Sequence, residues 1–85
     1  MKTLPLSGMG NNLKLLRKDA FPNDCITTFA FRVNVSKNTY IKMEKGDLSV
    51  SMSAYYRAAQ LLRVADQFAA LFEMPTKGLL EEVGL

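Results

Sequence analysis

The chain of 85 residues contains no histidine, no tryptophan and a single cysteine, Cys25. Without histidine, the common zinc sites and the catalytic schemes that use an imidazole base are excluded. One cysteine can form neither an internal disulfide nor a cysteine-rich metal site, so we interpret Cys25 as a structural residue at the start of a helix. We therefore expect the protein to use no metal and no cofactor.

Long apolar runs and paired catalytic groups are missing as well. No stretch approaches the roughly 20 apolar residues that cross a bilayer, and the opening residues contain no apolar segment long enough for a secretory signal. Glu81 and Glu82 are adjacent, so on a helix their carboxylates point in different directions and cannot act together as acid and base. The sequence has no glycine-rich phosphate loop. We expect a cytoplasmic protein that is not an enzyme.

Positive charge is concentrated in one part of the chain. The net charge is +3 and the isoelectric point is near 9.2. Residues 9–46 contain seven Lys and Arg against three Asp and Glu, whereas residues 47–85 contain three against five. A hydrophobic fraction of 48% in a chain of this length indicates one small folded domain. The basic part of that domain is typical of a surface that binds phosphate.

The stretch from Ile26 to Gly46 predicts two short helices joined by a tight turn. The apolar residues of the first helix follow the spacing i, i+3, i+4, i+7 of one helical face: Ile26, Phe29, Ala30 and Val33. Asn34 stands where the chain must reverse, and Asn tolerates a left-handed backbone better than most residues. Ser36 can then cap a second helix through its hydroxyl. That helix would bury Tyr40 and Met43 and end just before Gly46.

This pattern resembles the helix-turn-helix of the lambdoid phage repressors, the Cro proteins and the wider Xre-type regulators. The resemblance covers about residues 13–72 and rests on three short matches: Phe29-Ala30 in the first motif helix, Val35-Ser36 at the end of the turn, and Met43-Glu44-Lys45-Gly46 at the close. The chain departs from the family at Asn34, where glycine is usual. It also departs at Ile26, where the family commonly has a glutamine that touches a phosphate.

The resemblance implies an all-α fold, a compact five-helix lambda-repressor-like domain that binds operator DNA. Such a protein would act as a homodimeric transcriptional repressor through the major groove. The residues expected to contact DNA are Ser36, Lys37, Asn38, Thr39, Lys42, Lys45, Ser49 and Ser51. The serines beyond Gly46 have a second interpretation, as caps of the next helix. In the family, the motif glutamate, here Glu44, pairs with an arginine of the first helix, which matches Arg17.

Two alternatives remain open for the function. Small Xre-type antitoxins resemble this chain in size and motif, so it could neutralise a partner toxin and also regulate its own operon. A neighbouring toxin gene would favour that interpretation. A helix-turn-helix used only for protein contacts is a third possibility, which an absence of salt-sensitive DNA binding would favour.

Three further helices are predicted around the motif. Residues 1–8 are expected to form a flexible N-terminal arm, and residues 9–73 the DNA-binding domain. The first helix should run from its cap Asn11 to Ala20, with Leu13, Leu16 and Ala20 on one apolar face. Pro22 should end it, and Phe21 should fold back into the core.

Towards the C-terminus we predict two helices and a tail. One of the serines at positions 49, 51 and 53 should cap the fourth helix, whose core face would be Met52, Tyr55, Ala59 and Leu62. A fifth helix should span residues 65–74 with Asp66 as its cap and Val64 in the core. Phe68, Leu71 and Phe72 offer more apolar surface than a small core is expected to cover, which indicates a dimer interface. The alternative is that all three pack within one chain. Residues 74–85 are an apolar tail that could extend this interface or bind another protein.

Overall fold

A computed structural model of the chain describes residues 4–73. Over this range the protein is all-helical, with no strand and five helices: α1 (Ser7–Ala20), α2 (Ile26–Val33), α3 (Lys37–Glu44), α4 (Met52–Leu61) and α5 (Asp66–Ala69). None of these helices is long and apolar enough to cross a membrane. The tail predicted at residues 74–85 lies outside the described residues, as do Glu81 and Glu82.

The turn between α2 and α3 has the predicted form. Asn34 adopts a left-handed conformation, with φ 66° and ψ 44°. Its N–H donates to the carbonyl of Phe31, and the N–H of Val35 donates to the carbonyl of Ala30, each at 3.0 Å. Ser36 then caps α3, because its Oγ accepts the N–H of Thr39 at 3.0 Å. At the other end of α2, Cys25 occupies the cap position and is exposed.

The core lies on the inner face of α3, which packs against both α1 and α2. Tyr40 and Met43 have no exposed surface. The ring of Phe29 meets that of Tyr40 edge-on, with centroids 5.3 Å apart, and Phe21 folds back onto Phe29 at 5.4 Å. Helix α4 packs against α2 and closes the core with Ala54, Ala58 and Leu62.

Helix α1 begins four residues earlier than predicted and includes Ser7 and Gly8, which we had assigned to the arm. Its cap position is Leu6, without a side-chain hydrogen bond, so the assignment of Asn11 as cap was wrong. The cause is tertiary: the N–H of Leu6 donates to the carbonyl of Gly46 at 2.9 Å. Gly46 has φ 73°, and a Cβ there would collide with the carbonyl of Leu6. Helix α1 therefore starts in backbone contact with the end of α3.

The predictions of which residues face the core were right except at two positions. Leu13 is buried and Leu16 packs against the core, but Ala20 in the last turn of α1 is exposed. In α4, Tyr55, Ala59 and Leu62 are buried, whereas Met52 is 61% exposed. Met52 lies in the first turn of α4, ahead of the part that packs on the core.

Ser51 is the serine that caps α4, since its Oγ accepts the N–H of Ala54 at 3.3 Å. Helix α5 is only four residues long, shorter than predicted, and Asp66 is not its cap. Ala65 holds the cap position in a helical conformation, so Asp66 already lies inside the first turn. Val64 packs against the core, as expected.

Candidate nucleic-acid interface

The outer face of α3 is a polar, largely basic surface. An α-helix turns about 100° per residue, so Asn38, Lys42 and Lys45, at i, i+4 and i+7, form one row. This row lies opposite the buried Tyr40 and Met43. All three side chains are exposed, which leaves them available to a ligand that approaches α3 from outside. Lys37 is exposed as well and flanks the row in the first turn.

Ser36 and Thr39 lie at the start of this surface and are bonded to each other. Ser36 Oγ donates to Thr39 Oγ1 at 2.9 Å, in addition to accepting the N–H of Thr39. Ser36 is exposed and Thr39 is half-buried. Their polar groups therefore stabilise the first turn of α3. Of the two side chains, that of Ser36 is the more accessible to a ligand.

Two ion pairs concentrate the positive charge on α3. Residues 4–73 contain the pairs Arg17–Glu44 at 2.7 Å and Arg32–Asp24 at 2.6 Å. They account for both arginines and for two of the three acids in residues 9–46. The charged residues of that range that remain are Asp19 and five lysines: Lys14, Lys18, Lys37, Lys42 and Lys45. Three of the five lysines lie on α3 or at its end, so the outer face of α3 is positive.

The acid of α3, Glu44, points inward. Arg17 Nε donates to Glu44 Oε2 at 2.7 Å, and the hydroxyl of Tyr40 donates to the same oxygen at 2.5 Å. The side chains of Arg17 and Glu44 are only 7% and 10% exposed. The hydrogen bond to Glu44 raises the pKa of Arg17, while burial and the bond to Glu44 raise the pKa of Tyr40 well above its usual range.

The structure thus brings together the Arg17 and Glu44 side chains that the sequence resemblance had paired. It adds Tyr40, which we had assigned to the core alone. The signal available in the sequence was the i, i+4 spacing of Tyr40 and Glu44, which makes two side chains neighbours on a helix. This cluster fixes α3 to α1 and leaves the outer face of α3 without a free carboxylate.

The loop after α3 contains the two serines that have two interpretations. The N–H of Ser49 donates to Asp47 Oδ1 at 2.8 Å. Hydrogen bonds from Ser49, and to a smaller extent the charge of Lys42, lower the pKa of Asp47. Ser51 caps α4, and its hydroxyl lies 3.0 Å from that of Ser53. The cap interpretation is therefore confirmed for Ser51. Both Ser49 and Ser51 are exposed, and their contact with phosphate stays a prediction.

Helix α4 contributes two bonds to the main chain that flanks α3, and sequence reasoning missed both. Arg57 Nε donates to the carbonyl of Val33 at 2.9 Å. The hydroxyl of Tyr55 donates to the carbonyl of Asp47 at 2.6 Å, and burial raises the pKa of Tyr55. No local pattern predicts contacts of this kind, because the acceptors are backbone atoms up to 24 residues away.

The residues predicted for a dimer interface border an apolar groove of about 520 Å³ between α1, α4 and α5. Phe68 is half-buried and meets Tyr56 edge-on, with ring centroids 5.5 Å apart. Leu71 is 47% exposed and Phe72 is 96% exposed. Phe68 therefore packs partly against its own chain, whereas Leu71 and Phe72 present apolar surface to the outside. A dimer interface at these three residues stays a prediction.

Residues 4–73 contain no group of three His, Cys, Asp or Glu side chains that could hold a metal ion. The candidate nucleic-acid interface rests on the sequence pattern and on the geometry of α3. Comparison of the chain with protein-family models, with curated proteins and with solved structures found no match.

Proposed function

We propose that this chain is a sequence-specific DNA-binding protein that places α3 in the major groove and represses transcription by occupying its operator. The observation that supports this most is the division of α3 into two faces. Tyr40 and Met43 on the inner face are fully buried, while Asn38, Lys42 and Lys45 on the outer face are exposed. The resemblance of residues 13–72 to Xre-type helix-turn-helix regulators supports the same function.

The side chains on the outer face suit direct recognition of bases. The major groove is about 12 Å wide and admits one α-helix, whose diameter with side chains is about 10–12 Å. Asn38 can bond both N6 and N7 of an adenine, and Lys37 and Lys42 can donate to O6 and N7 of a guanine. Lys45, at the end of α3, is suited to a phosphate. A cation there fixes the register of the protein on DNA without reading sequence.

Charge supports a polyanionic ligand in particular. With Glu44 bonded to Arg17 and Tyr40, the outer face of α3 carries Lys37, Lys42 and Lys45 and no exposed acid. A protein surface that neutralises phosphates releases their counterions, which is the main source of affinity for DNA of any sequence.

We further propose that the active form is a homodimer that uses Leu71 and Phe72. An apolar side chain that is 96% exposed beside an apolar groove is typical of a surface that a second copy covers. A two-fold dimer would place its two α3 helices in successive major grooves about 34 Å apart. The operator should then be a palindrome with half-sites one helical turn apart.

The first test is a selection of bound fragments from genomic DNA, followed by alanine variants measured on the selected fragment. Lys37→Ala, Asn38→Ala and Lys42→Ala should each weaken binding by roughly 1–3 kcal/mol. The fold should be unchanged, because these side chains lie away from the core. Lys14→Ala is the matched control, since it removes an exposed lysine from α1. Wild-type affinity in all three α3 variants would show that α3 does not read the bases.

The second test is the dependence of affinity on salt. Binding should weaken steeply between about 50 and 200 mM salt, and Lys45→Ala should reduce the slope of log K against log salt by about 1. A binding constant that does not change over this range would point to a ligand other than nucleic acid.

A further inference from the structure

Arg57 lies in the middle of α4, but its guanidinium reaches the end of α2. Its Nε donates to the carbonyl of Val33 at 2.9 Å, across 24 residues of sequence. The side chain is half-buried. The last carbonyls of a helix have no partner within the helix and carry partial negative charge, so a cation there is favourable. Arg57 supplies both the missing donor and the charge.

Val33 lies close enough to α3 along the chain for this bond to affect the position of α3. Val33 is the last residue of α2, and only Asn34 and Val35 separate it from the α3 cap, Ser36. Asn34 holds a left-handed conformation, which asparagine tolerates better than most residues other than glycine. The bond from Arg57 to the carbonyl of Val33 restrains the chain at the start of this turn.

Helix α4 also holds the main chain after α3. The hydroxyl of Tyr55 donates to the carbonyl of Asp47 at 2.6 Å, three residues beyond the last residue of α3, Glu44. The backbone before α3 and the backbone after it are thus each bonded to a side chain of α4. Of the two, Arg57 acts nearer to Lys37 and Asn38, in the first turn of α3.

We propose that Arg57 is a positioning residue of the DNA interface: its bond to Val33 sets the angle at which α3 presents its base-reading side chains. This inference rests on the proposed DNA-binding function. Base contacts require hydrogen-bond geometry and are lost after small displacements, whereas attraction to phosphate depends mainly on net charge. Loss of the bond should therefore reduce affinity for the selected sequence and leave affinity for unrelated DNA nearly unchanged.

The test compares Arg57→Met, which keeps the apolar stem, with Arg57→Lys, which keeps the charge and a donor. Arg63→Met is the control for charge, since Arg63 is an exposed arginine just beyond α4. Fluorescence anisotropy measures affinity for the selected fragment and for a scrambled fragment of equal length. Arg57→Met should weaken binding of the selected fragment by roughly twofold to thirtyfold relative to Arg63→Met. Both variants should bind the scrambled fragment alike, and Arg57→Lys should fall between Arg57→Met and wild type.

Three results of these binding measurements would overturn the proposal. One is unchanged affinity of Arg57→Met for the selected fragment. Another is an equal loss for both fragments with a salt slope smaller by about 1, which is the signature of a phosphate contact. If Arg57→Met does not fold, Arg57→Lys decides, because a flexible ammonium cannot reproduce the planar geometry of the guanidinium. The third overturning result is therefore that Arg57→Lys prefers the selected fragment over the scrambled fragment by the same ratio as wild type.

A measurement on the free protein, combined with DNA binding by wild type, separates failure of the inference from failure of the proposed function. Backbone amide NMR signals of Ser36–Thr39 should move in Arg57→Met and stay in place in Arg63→Met. If wild type binds no DNA in a salt-sensitive way, the proposed function is wrong, and these signals alone report whether Arg57 positions α3. If wild type binds DNA and the signals do not move, only the role of Arg57 is wrong.

Discussion

The cluster of Arg17, Tyr40 and Glu44 offers the sharpest test of how α3 is held. Glu44 Oε2 accepts from Arg17 Nε at 2.7 Å and from the Tyr40 hydroxyl at 2.5 Å. Replacing Glu44 by alanine leaves a cation and a hydroxyl without their acceptor. Replacing Arg17 by alanine leaves Glu44 with one donor, Tyr40. The two losses should therefore differ, and Glu44→Ala should be the more damaging.

The magnitudes follow from the burial of the pair. Breaking a buried ion pair by removing one partner costs about 3–5 kcal/mol, and with side chains 7% and 10% exposed we expect Glu44→Ala to lie near the lower end. Arg17→Ala should cost about 1.5 kcal/mol less, the low end of a hydrogen bond to a charged group. A domain of 85 residues is stable by roughly 4–13 kcal/mol. The folded state of Glu44→Ala should therefore persist with a much reduced margin.

Urea unfolding followed by circular dichroism measures these costs, provided that the slope with urea is the same in all variants. In thermal unfolding, each kcal/mol should lower Tm by roughly 4–8 °C for a domain of this size. The double variant should lose less than the sum of the two single losses, with a coupling of about 0.5–3 kcal/mol. Glu44→Gln, which keeps the shape and removes the charge, should be milder than Glu44→Ala.

Additive losses in this cycle, to within about 0.5 kcal/mol, would refute the coupling between Arg17 and Glu44. Equal losses in the two single variants would instead refute the part assigned to Tyr40. In that case the hydrogen bond from the Tyr40 hydroxyl would not stabilise the Glu44 carboxylate in Arg17→Ala.

Three further predictions concern other features of the fold. Gly46→Ala should destabilise by more than the roughly 1–2 kcal/mol of a left-handed alanine alone, because its methyl would collide with a neighbouring backbone carbonyl. Gly8→Ala, where nothing lies within 4 Å, should stabilise by up to about 1 kcal/mol, and urea unfolding that ranks the two alike would contradict this. Because burial raises the pKa of Tyr40 in the folded state, stability should be full below about pH 10, the ordinary tyrosine pKa, and should fall above it. This fall should be shallower in Tyr40→Phe, and an equal slope in both proteins would argue against it. Phe72→Glu should give a folded monomer that binds the operator weakly, whereas Phe68→Glu should lower Tm. Sedimentation of wild type as a monomer at high concentration would refute the proposed dimer.

The parts of the fold that the sequence predicted well are those fixed by local chemistry. The α2–turn–α3 unit follows from apolar spacing, from an asparagine that accepts a left-handed conformation, and from a serine cap at Ser36. The outer row of α3 follows from the same periodicity once Tyr40 and Met43 are taken as buried. Each of these inferences needs only residues within about one helical turn of one another.

The parts that were missed depend on contacts between distant segments. Pro5 and Gly8 suggested a flexible arm, but Gly8 lies inside α1, and a Cβ at Gly10 would collide with the backbone at Gly46. A glycine therefore serves the start of α1 instead of interrupting it. The bond from Arg57 to Val33 is likewise set by packing. A pattern of residue types does not record which backbone atoms packing will bring together.

The backbone contact between Leu6 and Gly46 also bears on the order in which the protein folds. It joins residues 40 positions apart, whereas the turn between α2 and α3 closes within a few residues. Closing a long loop costs more chain entropy than closing a short one, so contacts of high sequence separation tend to form late. We therefore expect α2 and α3 to associate early and α1 to dock afterwards. Substitutions in residues 4–6 would act on that last step, next to the end of α3.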